Sequence, residues 1–433
     1  MNHAQAAAGP AAWEEPEHAA WDSPATRPPT LPKPRLLSLD ALRGFDLFLL
    51  LFLGPLVTEL GRGPLCQYFT SRPMRILLDQ LDHRSWYGFT FWDLLMPLFM
   101  FMAGAAIPYA MARYKRSEGG RAAVEFWLRL ARRLVLLWIL GMIAQGRLLE
   151  LSIDKLFLFS NTLQAIAMGY LFASIFYVFL SIPWQIAAAL VLLIGYWGLE
   201  TFVRFGEVTG KFEYEHTLAQ WVDNVLMPGH WNPHGIHTWF LSSMTFTVTT
   251  MTGVFAGVIT RVPILKAKKA AAEGESKSGN GLDATWHLTR IGTVREFTAL
   301  AVIGVILTGL GLAWGYVPKT WYGYCPLIKN MWTPSMTLLS SGLSFLLLAL
   351  FYLVIDVRQY RKWAGFLIVI GMNSIAAYML PYLIDTRRIA KNLLRGLEQY
   401  TGDWYEAIII TGGFLVLYFI LWCLYRNKKF IRV

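Results

Sequence analysis

Ten apolar stretches, each about long enough to cross a bilayer, constrain this chain more than any other feature. They run at about 38–60, 90–112, 124–145, 160–181, 184–203, 238–261, 295–316, 334–356, 363–384 and 404–425. A helix needs roughly 20 mostly apolar residues to span the hydrocarbon core. Lipid offers no partner for backbone N–H and C=O groups, so such segments must be helical. The expected fold is all-α: a polytopic membrane protein of about ten transmembrane helices. Only 15% of the residues are charged, against about a quarter in a soluble domain. The net charge of +11 is therefore no argument for nucleic acid, because Lys and Arg in membrane proteins mark cytoplasmic loops.

Those loops test the count. Arg113, Lys115, Arg116 and Arg121 follow the second span; Arg261, Lys266, Lys268, Lys269 and Lys277 follow the sixth. Arg358, Arg361 and Lys362 follow the eighth, and Arg426, Lys428, Lys429 and Arg432 the tenth. All four clusters fall on one side if both termini are cytoplasmic. Residues 1–34, rich in Pro and Ala and without an apolar core, read as a disordered cytoplasmic tail rather than a signal peptide. Residues 35–433 form the transmembrane domain, in which 264–290 reads as a mobile cytoplasmic linker. Cys66 and Cys325 both fall in extracytoplasmic loops, where a disulfide is allowed.

Polar residues concentrate at the two mouths. His83-Arg-Ser-Trp86-Tyr-Gly88-Phe-Thr90-Phe-Trp-Asp93 runs from a loop into the second span. A carboxylate there is costly unless paired or used, and a histidine beside it can move protons near neutral pH. Ser71 as N-cap and Pro73 in the first turn predict a short amphipathic helix lying along the interface, which places His83 at the membrane surface. A His83–Asp93 pair can deprotonate an amine or hydroxyl, or carry an acyl group.

At the other mouth, Asp40 and Arg43 share a helix face and Asp46 lies one turn on. Arg129, Arg132 and Arg133, spaced i, i+3, i+4, predict one basic face suited to phosphate. The plainer use of these arginines is snorkelling and lipid anchoring. Asn161, Gln164, Asn373 and Ser374 enter other spans, where amides often only join helices; Lys329, Asn330 and Trp332 precede the eighth. His230, His234 and His237 have a spacing that can bind zinc, but no cysteine or carboxylate stands near, so no metal is expected.

The ordered set Arg35…Leu39-Asp40-Ala-Leu-Arg43-Gly44, His83-x-x-Trp86-x-Gly88-x-Thr90-x-x-Asp93-Leu94-x-x-Pro97-x-Phe99, Leu163-Gln164, Asn232-Pro233-x-Gly235, Lys329-Asn330-x-Trp332-x-x-Ser335 and Gly371-Met372-Asn373-Ser374-Ile375 resembles the transmembrane acyltransferases related to heparan-α-glucosaminide N-acetyltransferase. The resemblance covers nearly everything from residue 35 on. It implies a helical enzyme that takes acetyl-CoA from the cytoplasm and acetylates an acceptor on the far side. His83 matches the family's active-site histidine.

On this reading Asp93 orients His83, and CoA phosphates meet Arg43 with Arg129, Arg132 and Arg133. The thioester passes Asp40, Gln164, Asn373 and Ser374. Trp86 and Trp332 stack on the acceptor near Asn161, Lys329 and Asn330. The family's lumenal N-terminal domain has no counterpart before residue 35, Ala165 stands where the family has Arg, and Asn232-Pro-His234-Gly replaces Asp-Pro-Glu-Gly. Heparan sulfate is accordingly not the expected acceptor; an amino sugar or hydroxyl of envelope glycan is. The expected setting is a bacterial inner membrane, with lipid as partner and homodimerisation left open. The residues alone also allow a secondary transporter of a small polar solute.

Overall fold

The computed structural model describes residues 36–116, 120–146, 148, 158–206, 209–227, 237–275 and 292–431. The expected tail, Arg35, His230, His234, the Asn232–Gly235 motif and residues 276–290 of the expected linker lie outside them.

The described residues are helical, without a strand. α1 (Leu37–Phe48) continues through a π turn (Leu49–Leu53) into α2 (Gly54–Arg62). Then come α3 (Arg72–Gln80), α4 (Leu95–Met111), α5 (Gly120–Ala144), α6 (Thr162–Phe179), α7 (Ile182–Phe202), α8 (Leu218–Leu226) and α9 (Ser243–Glu275). The C-terminal part holds α10 (Val294–Gly315), α11 (Pro334–Tyr352), α12 (Gly365–Met372), α13 (Ser374–Leu383), α14 (Thr386–Leu394) and α15 (Tyr405–Arg426).

Eight segments among the described residues are long and apolar enough to cross a membrane, and α12 with α13, bent by 71° at Asn373, makes a ninth if counted as one span. This is the make-up of a multi-pass membrane protein. The expected third span is present as α5, but Glu125, Arg129, Arg132 and Arg133 make its first half too charged to count among the eight. The expected linker also starts later, because α9 runs on as helix to Glu275.

α9 is the hub, packing against α4, α6, α7 and α11. Its Gly253-x-x-x-Gly257 allows backbone contact with α4: a Cβ on Gly253 would fall 1.9 Å from the Phe101 carbonyl oxygen, and one on Gly257 2.3 Å from that of Ala105. Small residues are how helices approach closely where lipid removes the hydrophobic drive between them. The hydroxyls of Thr247, Thr249 and Thr250 bond back to the carbonyls of Ser243, Thr245 and Phe246, so this buried polar run is internally satisfied. Conversely, α7 and α10 expose Ile186, Leu190, Val191, Val305 and Ile306, the surface expected of peripheral helices facing lipid.

Candidate active site

Ser71 and Pro73 open α3 as expected, although the Ser71 side chain makes no capping bond. The chain then leaves Leu81 and is tied down locally. Arg62 donates to Asp82 Oδ2 at 2.6 Å, the His83 amide donates to Asp82 Oδ1 at 3.0 Å, and Thr90 Oγ1 donates to the Asp82 carbonyl at 2.7 Å. Thr90 and Asp93 form a capping box at the 3₁₀ turn Phe91–Leu94 that starts the second span. Such a box satisfies backbone donors at a helix start. Here it also clamps the carboxylate, since Asp93 Oδ2 accepts from the Thr90 amide at 3.1 Å.

Asp93 Oδ1 is left facing His83. His83 Nδ1 stands 2.8 Å away. A carboxylate has no proton to give, so Nδ1 carries the proton of this bond. The Asp93 side chain has no exposed surface while that of His83 is 52% exposed: the carboxylate is buried and the ring it orients is open. Lys329, 10% exposed, closes the cluster with Nζ 3.4 Å from Asp93 Oδ1 and 3.0 Å from His83 Nδ1. Two basic side chains therefore share one carboxylate oxygen. Burial pushes the Lys329 ammonium below its usual range, and Asp93 restores part of the difference.

His83 and Lys329 line a cavity of about 370 Å³ with Trp92, Ser160, Asn161, His237, Trp239, Tyr378 and Tyr382, and Asp93 lies buried behind them. Trp92 is wedged by close packing, since a Cβ on Gly54 would fall 2.0 Å from its ring. Asn161 caps α6, its Oδ1 accepting from the Leu163 amide at 2.9 Å. A pocket of this size with aromatic walls and a few converging polar groups is the usual form of a small-molecule site.

Other expected site residues do structural work. Gln164 completes the α6 capping box, accepting from Ser160 and Asn161 amides and donating to the Leu158 carbonyl. Trp86 and Trp332 are buried rather than stacking surfaces: their indole N–H groups donate to the Phe212 carbonyl at 2.8 Å and to Thr249 Oγ1 at 3.0 Å. Asn330 Nδ2 donates to the Ser85 carbonyl at 3.0 Å and so holds the His83 loop from behind. Cys66 and Cys325 are free; Cys66 is exposed, whereas Cys325 is buried beside Ser335. No cluster of metal ligands occurs among the described residues.

The expected donor-side residues lie apart, toward the start of α1. Arg43 reaches Asp40 at 3.5 Å and donates to the Met102 carbonyl at 3.1 Å. Arg129 and Arg132 are exposed, but Arg133 does not share an open face with them. Arg133 turns inward over the Tyr170 ring at 4.1 Å, and Arg129 lies over Tyr114. Asn373 sits buried at the break between α12 and α13, its Oδ1 accepting from the Ile431 amide at 3.1 Å, and Ser374 begins α13. Asp46 is fully buried, and neither oxygen is hydrogen-bonded to a described residue.

Residue spacing did not reveal His237, Trp92, Trp239, Tyr378 or Tyr382 as cavity walls. Trp92 adjoins Asp93, and Tyr378 and Tyr382 share a face of α13 one turn apart. His237 was visible only as part of a metal-like spacing.

A family model described as a domain of unknown function (DUF5009) matches residues 35–215. The match takes in His83 and Asp93 and ends before His237 and Lys329. No curated protein matches the chain.

Proposed function

We propose that the chain is a transmembrane acetyltransferase, moving an acetyl group from cytoplasmic acetyl-CoA to an amino sugar or hydroxyl acceptor on the other face of the membrane. The observation that carries this reading is the oriented pair His83 Nδ1–Asp93 Oδ1, 2.8 Å apart, with the ring open to an aromatic-walled cavity. In the proposed step His83 Nε2 takes the proton of the acceptor N–H or O–H. The acceptor atom bonds to the thioester carbonyl carbon, the C–S bond breaks, and the CoA thiolate receives the proton that His83 holds. Asp93 keeps Nδ1 protonated and stabilises the transient imidazolium. Trp92, Trp239, Tyr378 and Tyr382 offer faces for a sugar ring.

The opposite half fits the donor chemically. Arg129 and Arg132 are exposed for phosphate, while the buried Arg133 Nε and Asn373 Nδ2 lack partners among the described residues and so keep donors for a polar arm. Ten spans with both termini cytoplasmic, in an inner membrane, put the basic loops on the donor side.

The test is acetyl transfer from radiolabelled acetyl-CoA to glucosamine by the purified protein in detergent, wild type beside His83→Ala. Labelled N-acetyl product from the wild type alone supports the reading; equal product from both removes His83 from it.

One observation favours a second reading. A span broken at a buried amide, as at Asn373, is how secondary transporters build midplane sites. Glucosamine uptake into proteoliposomes without acetyl-CoA would select that reading.

A further inference from the structure

We infer that His237 is a second active-site histidine that donates a hydrogen bond to the thioester oxygen as the acceptor attacks. The inference rests on the acetyl-transfer reading and assigns the half of the chemistry that His83 leaves uncovered.

His237 lines the same cavity as His83 and Lys329. Its position is built. The Thr238 amide donates to the Asn330 carbonyl at 2.8 Å, coupling this loop to the strip that carries Lys329. The amides of Trp239 and Phe240 donate to the two oxygens of Asp223 at 2.8 and 2.9 Å. Three backbone bonds in succession thus fix the chain just after His237, and the Trp239 ring lies 5.9 Å from the imidazole. The ring itself makes no hydrogen bond to a described residue, so its N–H is available to a ligand.

The two histidines differ in what surrounds them. His83 has a carboxylate to balance a positive charge. His237 has none in contact. Burial comes first, then the positive charges of Lys329 and His83, with Asp93 opposing them; together they push its ring down to about 3. An imidazole that cannot charge is a poor base but an effective donor, because its N–H stays in place at every working pH. In the transfer step the carbonyl π pair moves onto oxygen as the new bond forms and returns as the C–S bond breaks. The His237 N–H and the Lys329 ammonium face that oxygen while His83 holds the acceptor's proton. Donors fixed before the charge develops are a large part of acyl-transfer catalysis.

The experiment uses the full chain in detergent with acetyl-CoA and glucosamine, comparing wild type, His237→Ala and His237→Gln, with melting temperatures as a folding control. Loss of one oxyanion donor costs about 10²–10³-fold in kcat. His237→Ala is expected to fall by that factor with the acceptor KM little changed. His237→Gln, which keeps an N–H, is expected to recover at least about tenfold of it, an order-of-magnitude expectation for a conserved donor. The acid limb of the pH–rate profile is expected to persist in both variants. Wild-type kcat in a folded His237→Ala, a change confined to KM, or loss of the acid limb would overturn the inference while leaving acetyl transfer standing. A wild type that transfers nothing to amine or hydroxyl acceptors would remove both.

Discussion

The two polar regions of this molecule are built in opposite ways. Around His83 nearly every polar atom is engaged: Asp93 alone serves Thr90, His83 and Lys329, and Asp82 serves Arg62, His83 and Thr90. Toward the start of α1 the reverse holds. Both oxygens of Asp46, Arg133 Nε and Asn373 Nδ2 are buried without hydrogen-bond partners among the described residues. Gly44 and Gly371 each meet the carbonyl four residues before the other, so α1 and α12 touch backbone to backbone; the 44–367 and 40–371 pairing, with the Phe48–Phe366 ring contact, runs antiparallel and sets Asp46 and Asn373 on opposite sides of the crossing. A buried polar group without a partner costs about 1–3 kcal/mol. The His83 end is thus pre-organised for chemistry. The Arg43 half carries a standing cost, which a polar ligand would relieve.

The largest expected break in this contrast is at His83. His83→Ala, or Asp93→Asn, which disturbs the tautomer, is expected to lower transfer by about 10³-fold or more, read as labelled product per minute; an effect below tenfold would show the pair is structural. Next is Lys329→Met, which leaves Asp93 Oδ1 to His83 alone and removes one charge from the cavity. A loss of about 10–100-fold in kcat is expected from the missing electrostatic contribution, with the protein folded; unchanged kcat would place Lys329 outside the chemistry.

The Arg43 half predicts the opposite sign. Asp46→Asn removes a buried, uncompensated carboxylate and is expected to raise stability by about 1–3 kcal/mol, seen as a higher melting temperature in detergent. A lower one would mean that Asp46 has a partner. The smallest effect concerns pH. Burial pushes Asp223, which holds the His237 loop, up to about 6. Its folded form keeps the proton longer than the unfolded chain does. The associated stability is therefore full below about pH 4 and is lost as pH rises through about 6, on the order of 1–2 kcal/mol. Asp223→Asn is expected to flatten that slope, whatever its offset; an unchanged slope would exclude Asp223 as its source.

The sequence made the helices legible because lipid leaves one solution for an apolar run. It could not show that Asn373 breaks its span by 71°. His83 and Asp93 were legible because they lie only ten residues apart, one in the loop and the other on the capping turn that opens the second span. Lys329 was named for its motif, yet its place against Asp93 depends on a contact 236 positions along the chain. Trp86 and Trp332 misled for a physical reason: an indole beside a motif histidine reads as a stacking face, but burial had already spent both N–H groups on backbone and Thr249. His237 stayed hidden because only the Asp223 and Asn330 tethers bring it to the cavity wall.

The most direct test of the division between the two regions is sided transfer in proteoliposomes, with acetyl-CoA on one side of the membrane and glucosamine on the other. The account predicts N-acetylglucosamine when acetyl-CoA is on the side of the basic loops, and no product when the two substrates are exchanged. Product formed only with both substrates on the same side, or glucosamine accumulating without acetyl-CoA, would contradict it.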